Sequence, residues 1–523
     1  MTRIGGMKRK KNPHVVFKPY TMGQLQLPTD LDDLIPANHL VRVVHEAIEK
    51  MDLDVLLKRY KGGGTSSYHP KMMLKVLVYA YSQRIYSSRQ IAKALRENIH
   101  FMWISGNSRP DFRTINRFRG QVMRGIMEQV FGSVLELLIE EGYVKLEHYF
   151  LDGTKIEANA NRYSWVWAKS THNYKRKLQE NVKKLLDEIE QVNEEENDEY
   201  GDRDLEEMGE DGPIDAEKLE KKIQELNERL REDPDDKKLA KAVKKIEKDY
   251  LPRQKKYEAQ EKIFQGRNSY SKTDPAATFM RMKEDHMKNG QLKPGYNVQI
   301  GTENQFVVGF SVHQRPGDSG CLIPHLEGLK EQLGQLPRNV IADAGYGSEE
   351  NYVFLDDEGV DAYVKYTSFH LEQKKRRKDR FRAASFPYDE NRDEFICPAD
   401  RRLTYQHTRP YKTENGFQTE LRVYECVDCR GCSIKAQCTR SRGNRRIRTS
   451  FRWRDLQQKA TQKLTSDQGL RLRSKRPVEA ESVFGRLKQN WGFRRFMMRG
   501  LEKVEVEWGL LCIAHNLAKV AAA

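Results

Sequence analysis

At 523 residues, with 92 Lys and Arg against 76 Asp and Glu, the chain is too long for one ordinary core and carries a formal net charge of +16. Three or four folding units are expected at about 150 residues each, and a basic surplus of this size favours a polyanionic partner through counterion release. No apolar run approaches the roughly 20 residues of a membrane helix and the basic N-terminus has no apolar signal core, so a cytosolic protein without a membrane partner is expected.

Residues 1 to about 20 contain Lys8-Arg9-Lys10-Lys11 and read as a basic arm. From Leu31 to about Glu140 the pattern is helical: Pro70 precedes Met72 to Tyr81, Ser87-Ser88 can cap Ile91 to Arg96, and Asp111 with Thr114 opens a longer helix through Phe118 and Met123. These short helices carry Arg89, Lys93, Arg96, Arg113, Arg117 and Arg119, which suits a small DNA-binding domain of helix-turn-helix type. Tyr149, Phe150 and Leu151 then read as a strand ending at Asp152, with Gly153 turning the backbone away.

A charged insertion follows. Leu178, Val182, Leu185, Ile189 and Val192 alternate steps of four and three, as do Leu219, Ile223, Leu226 and Leu230, and then Leu239, Val243, Ile246 and Tyr250. These seams predict coiled-coil-like helices packed as a hairpin or small bundle. Residues 187–217 carry 16 acids and one base, Arg203, as the solvated face or a loop. Sheet patterning returns at Tyr296 to Gly301 and Phe306 to His313, a hairpin joined through Thr302-Glu303-Asn304-Gln305. Asn339 to Ala342 is an apolar strand delivering Asp343, and Lys374 to Lys378 mark the surface of a second, strand-poor basic insertion. Val478 to Gln489 and Val504 to Val520 read as helices, and residues 440–499 around the first of them carry 18 Lys or Arg against four acids.

Glu481 and Lys488 are seven residues apart, which places them within about 20° on one helical face. Glu479 falls about 200° around from Glu481 and is the alternative inward acid. Three carboxylates, Asp152, Asp343 and Glu481, are what a two-metal phosphoryl-transfer site requires, because crowded like charges are relieved by divalent cations that clamp the attacking and leaving oxygens. Oxygen ligands suit Mg²⁺, with Mn²⁺ as its substitute.

Several segments carry a resemblance: Tyr68-His69-Pro70-Lys71 through Arg119, Leu151-Asp152-Gly153-Thr154-Lys155, Pro294-Gly295-Tyr296-Asn297-Val298-Gln299, Ala342-Asp343-Ala344-Gly345-Tyr346, and Glu481-Ser482-Val483-Phe484-Gly485-Arg486-Leu487-Lys488. Together they resemble bacterial insertion-sequence transposases of the DDE class over nearly the whole chain. The resemblance implies an α/β fold, an RNase H-like mixed sheet flanked by helices, with an N-terminal all-α DNA-binding domain. It further implies that Asp152, Asp343 and Glu481 hold the metals, that Asp318 in Gly317-Asp318-Ser319 supports them, and that Lys488, Arg476 and Arg486 meet DNA phosphates. One departure stands out. Relatives place an Arg four residues before the Glu and a Tyr three before that, whereas here Pro477 and Ser474 hold those positions and Arg476 lies one residue earlier.

The implied organisation is a helical DNA-binding domain at 1–140, a catalytic core in three pieces at 141–171, 266–370 and 471–523, a charged helical insertion at 172–265 and a Cys-rich basic insertion at 371–470. Without its insertions the core would number about 190 residues, an ordinary domain size. The implied function is binding of the element's terminal inverted repeats, metal-dependent cleavage and strand transfer into target DNA, by a homodimer in a synaptic complex. A hydrolytic nuclease using the same acids and a domesticated, non-catalytic DNA-binding protein are the alternatives.

Five of the seven cysteines form Cys397 … Cys426-x2-Cys429-x2-Cys432-x5-Cys438. In a cytosolic chain such spacing reads as metal ligands, and four of the five thiolates could fill the tetrahedral shell of a structural Zn²⁺. Free thiols in a loop are one alternative and an iron–sulfur cluster another, although the usual cluster pattern continues with x3 and Cys-Pro, where this chain has x5 and Cys438-Thr439.

Overall fold

The computed structural model describes residues 30–60, 67–200, 214–282, 291–373, 380–413 and 415–523. The basic arm at Lys8 to Lys11, the middle of the acidic run and Lys374 to Lys378 lie outside the described residues.

The central sheet is built from β1 (His148–Glu157) and from strands that return after the helical insertion. That insertion is closed at its base by β2 (Trp165–Trp167) pairing antiparallel with β3 (Ser269–Ser271). Next come β4 (Thr278–Arg281), β5 (Leu292–Glu303), β6 (Phe306–His313), β7 (Asn339–Ala342) and β8 (Asp361–Val364). The sheet order is β4-β5-β1-β7-β8, with β6 also on β5. β5 runs antiparallel to β1, β4 and β6, while β1, β7 and β8 run parallel. This mixed sheet with flanking helices agrees with an RNase H-like transposase fold. The β5–β6 turn is tighter than the sequence suggested. Strand pairing extends through Glu303 and Phe306, and Asn304 and Gln305 alone turn the chain with φ of 52° and 62°, the left-handed pair that a two-residue hairpin requires.

β1 differs from expectation at the residue that matters most. It does not stop at Asp152 but continues to Glu157, so Asp152 stands mid-strand opposite Ile300. Gly153 makes no turn. Its missing side chain leaves room for Gln299, whose Nε2 would lie 2.4 Å from a Cβ added there. The glycine serves close packing across the strand pair.

The N-terminal helices are not a separate module. The helix Pro70–Ser82 is buried on nearly all sides and packs on the C-terminal helix Leu501–Val520, which in turn packs on β6. Val41, Leu77, Leu95, Phe118, Leu151, Ile341 and Trp508 all belong to one continuous hydrophobic core. Helices that are apolar all round belong in such interiors. Arg119, grouped with the DNA-facing arginines by sequence, is buried here. Its Nη1 donates to Tyr81 Oη and to the Tyr86 carbonyl, both at 2.9 Å, and it lies 3.9 Å from the fully buried Glu507.

The insertion after β2 comprises the helices Ala168–Tyr200, Ala216–Glu232, Lys237–Lys245 and Leu251–Phe264. They close on their own small core of Leu178, Val182, Leu219, Ile223, Leu226, Leu239, Val243, Ile246 and Tyr250. The Cys-bearing segment is rich in strands, contrary to expectation: an antiparallel sheet ordered β13-β12-β11-β10-β9. Its members are β9 (Tyr388–Asp389), β10 (Glu394–Ile396), β11 (Arg402–Lys412), β12 (Gln418–Cys426) and β13 (Arg446–Thr449).

Candidate active site

Asp152 and Asp343 become neighbours through strand register. Phe150 of β1 pairs with Ile341 of the parallel β7, so two residues further along each strand bring the two aspartates side by side at the sheet centre. Asp343, just past β7, is held by the Gly345 amide, which donates to its Oδ1 at 2.8 Å. Glu481 arrives from the opposite wall, on the helical run that follows the helix Asp467–Arg476.

A single guanidinium joins the three acids. Arg476 Nη2 lies 2.8 Å from Asp152 Oδ1 and 3.6 Å from Asp343 Oδ2, and its Nη1 lies 3.2 Å from Glu481 Oε1. Its side chain is 12% exposed, and its Nε is buried without a hydrogen-bond partner among the described residues. The one-residue displacement of Arg476 has a structural reason. Pro477–Glu481 is a π-helical turn, which bonds i to i+5 and takes up one residue more than an α-turn. An arginine five positions before Glu481 is thereby brought to the same side of the helix as the acid. Glu479, the alternative acid, is buried on the other side, where its Oε2 accepts the Gln305 amide at 2.7 Å.

Asp152, Thr154, Asp343, Arg476, Glu481, Phe484 and Lys488 line one open cleft of about 400 Å³. Lys488 is buried in its wall, with Nζ donating to Thr154 Oγ1 at 3.1 Å. Asp318 stands behind Asp343, and its Oδ1 accepts from Asn297 Nδ2 at 2.7 Å and Gln299 Nε2 at 3.3 Å. Gln299 Oε1 accepts in turn from the Tyr346 hydroxyl. Burial, and then the charges of Asp318, Asp152 and Asp343, push the Tyr346 phenol well above its usual range, so it remains a donor. Asn297, Gln299 and Tyr346 had no assigned role in the sequence. The available signal was two polar residues alternating with Tyr296, Val298 and Ile300 in a strand buried on both faces. Lys365 also faces the acids, its pKa lowered chiefly by burial and then by Arg473 and Arg476.

The other predicted DNA contacts lie elsewhere. Arg486 stacks over Trp491 at 5.3 Å from the ring centroid, its pKa lowered by burial. Arg89 and Arg113 flank the exposed ring of Phe112 at 5.1 and 5.7 Å, and Arg117 is exposed on the same helix as Arg113.

The five cysteines surround one small enclosed cavity of about 10 Å³, together with Arg401 and Arg445. Cys397 Sγ accepts from the amides of Ala399 and Arg401, each at 3.4 Å, and Cys429 Sγ accepts from the Arg445 amide at 3.3 Å. Burial, then a hydrogen bond with Cys429, pushes the Cys426 thiol up to about 12. None of the seven cysteines forms a disulfide.

Among the described residues, no group of three or more His, Cys, Asp or Glu stands ready-assembled to hold an ion. The donor chemistry nevertheless fits in both places. Three carboxylates already share one cation, the Arg476 guanidinium, and the five cysteines line one small cavity with Cys397 and Cys429 sulfurs accepting backbone N–H bonds.

The three acids meet on a mixed sheet flanked by helices, consistent with an RNase H-like transposase fold. Two family models match the chain, Transposase DDE domain over residues 396–521 and Transposase domain (DUF772) over residues 29–121. Together they support an insertion-sequence transposase of the DDE class. Transposases act on DNA, and this family generally uses divalent metal. The first match takes in Arg476, Glu481, Lys488 and the five clustered cysteines, the second takes in Arg89, Arg113 and Arg117, and Asp152 and Asp343 lie outside both. A comparison with curated proteins found no match. No helix among the described residues is long and apolar enough to cross a membrane.

Proposed function

We propose that the chain cuts DNA at the inverted-repeat ends of its own element and joins the freed 3'-hydroxyl to target DNA, with Asp152, Asp343 and Glu481 as the ligands of two Mg²⁺ ions. The observation that carries this reading is the convergence of three acids, 191 and 138 residues apart in sequence, on one guanidinium. When bound, the ions would activate the attacking oxygen and stabilise the leaving one. The protein's own contribution is placement. β1 and β7 hold two carboxylates in fixed register, and Asn297, Gln299 and Asp318 brace the floor beneath them. Lys488 presents a positive charge to a phosphate in the cleft, while the exposed Arg89, Phe112, Arg113 and Arg117 surface offers charge and an aromatic face to the DNA outside it.

A structural Zn²⁺ held by four of Cys397, Cys426, Cys429, Cys432 and Cys438 belongs to the same proposal. It would stiffen the base of the β11–β12 ribbon and take no part in the chemistry.

The test is cleavage and strand transfer on end-bearing DNA with Mg²⁺. Asp152→Asn, Asp343→Asn and Glu481→Gln are each expected to reduce both steps at least about 100-fold while leaving DNA binding intact. Substantial activity in any of the three refutes the assignment. Cut but never joined product would indicate a hydrolytic nuclease, and EDTA-resistant binding without cleavage a DNA-binding protein alone.

A further inference from the structure

Arg476 occupies the place that the proposed ions need. Its two terminal nitrogens reach all three carboxylates, so a cation bridging those oxygens and the guanidinium cannot hold the same positions together. The contact is built into the fold. The π-turn at Pro477–Glu481 sets the arginine beside Glu481, and the side chain is buried up to its Nε, which finds no acceptor among the described residues. A guanidinium with one buried N–H unsatisfied is held by charge more than by a complete hydrogen-bond shell. Arg476 is a cation that all three carboxylates share, and Lys365 also stands near Asp343 and Glu481.

We propose that Arg476 is a stand-in cation. It keeps the three carboxylates together in the ion-free protein and must withdraw from them before divalent ions can enter. The inference rests on the metal-binding reading above and adds a competition to it: occupancy by metal and occupancy by Arg476 exclude one another. Arg476 is then a positioning residue of the resting site, and its release ties metal loading to a movement of the helical run 476–490. The same displacement frees a cation at the cleft, where the DNA strand would bring phosphate.

The experiment is titration of the full-length protein with Mn²⁺ in the absence of DNA, read by calorimetry and by the ion-induced rise in Tm. Arg476→Met, of similar length and without charge, is expected to bind Mn²⁺ at least tenfold more tightly than the wild type. It should also be less stable without ions and show the larger rise in Tm with them. Arg476→Lys, a point charge that cannot bridge three acids, should fall between the two and keeps the comparison if Arg476→Met does not fold. Adding Asp152→Asn to either variant should abolish the gain. Affinity in the variants equal to or weaker than the wild type, with binding still dependent on Asp152, overturns the competition and leaves the metal site standing. Absence of Asp152-dependent binding in every protein overturns both.

Discussion

Replacing Gly153 with alanine puts a methyl group where the Gln299 carboxamide lies. The new Cβ would meet Nε2 at 2.4 Å and Oε1 at 2.7 Å, and Gln299 is poorly placed to move aside. Its Oε1 accepts from Tyr346, and its Nε2 donates to Asn297 Oδ1 at 3.1 Å and Asp318 Oδ1 at 3.3 Å. Overpacking in a closed interior costs about 1–3 kcal/mol, and each buried hydrogen bond lost adds about 1 kcal/mol. We therefore expect Gly153→Ala to lose about 3 kcal/mol in urea unfolding followed by tryptophan fluorescence, together with strand cleavage, because Asp152 sits on the displaced strand. The double variant Gly153→Ala/Gln299→Ala removes the obstructing carboxamide and should recover about 1–2 kcal/mol relative to additivity. A loss below about 0.5 kcal/mol for the single variant, or full additivity in the pair, would refute the claim that this glycine exists to admit Gln299.

Glu505 is raised to about 7 by burial and by the nearby charges of Glu128 and Glu502. The folded state keeps that proton up to about pH 7, while the unfolded state releases it near 4.5. Stability is therefore lost as pH rises across that window, and Glu505→Gln should be more stable than the wild type at pH 8 by on the order of 2 kcal/mol but not at pH 4, measured by urea midpoints. His325, lowered to about 3, and His313 and His515, lowered to about 4, have the opposite effect: all are depressed first by burial. The unfolded chain takes up their protons below about 6.5, so Glu505→Gln should retain a loss of stability on acidification below that pH. Elemental analysis should find one zinc per chain, absent in Cys426→Ser/Cys429→Ser, whose Tm should fall; iron with visible charge-transfer absorption would point to a cluster instead. Arg119→Met should cost about 3–5 kcal/mol by stranding Glu507, with partial recovery in Arg119→Met/Glu507→Gln. A loss of DNA affinity without loss of stability would return Arg119 to the DNA face.

Parts of the candidate site's placement were legible in the sequence because they depend on simple periodicities. A strand of apolar residues ending in Asp343 and a helical spacing that separates Glu481 from Glu479 are local patterns, and the structure sends those two glutamates to opposite sides. What was hidden depends on contacts between distant segments. Gly153 looks like a turn signal until Gln299 is known to lie against it. Arg476 looks misplaced by one residue until the turn after it proves to be π rather than α. The β11–β12 ribbon was missed because β11 is exposed along most of its length, with Leu403 its one fully buried residue. A strand wet on both faces lacks the period-two apolar signal by which strands are recognised.

The union of the N-terminal helices with the catalytic sheet bears on how DNA is held. A helix such as Leu501–Val520 spans about 30 Å at 1.5 Å per residue, and along that length it contacts Pro70–Ser82 as well as β6. In its second turn Glu507 accepts the Met497 and Met498 amides at 2.9 and 3.0 Å and meets Arg119 from the N-terminal region. Separating the two regions would expose Trp508, Leu510 and Leu511 and leave a charge pair divided. The surface carrying Arg89, Arg113 and Arg117 is thus fixed relative to the carboxylate cleft, since the loops and helices between them share one core. DNA gripped on that surface would meet the acids at a set distance, and any movement needed to load the site has to come from smaller elements, such as the π-helical run after Arg476.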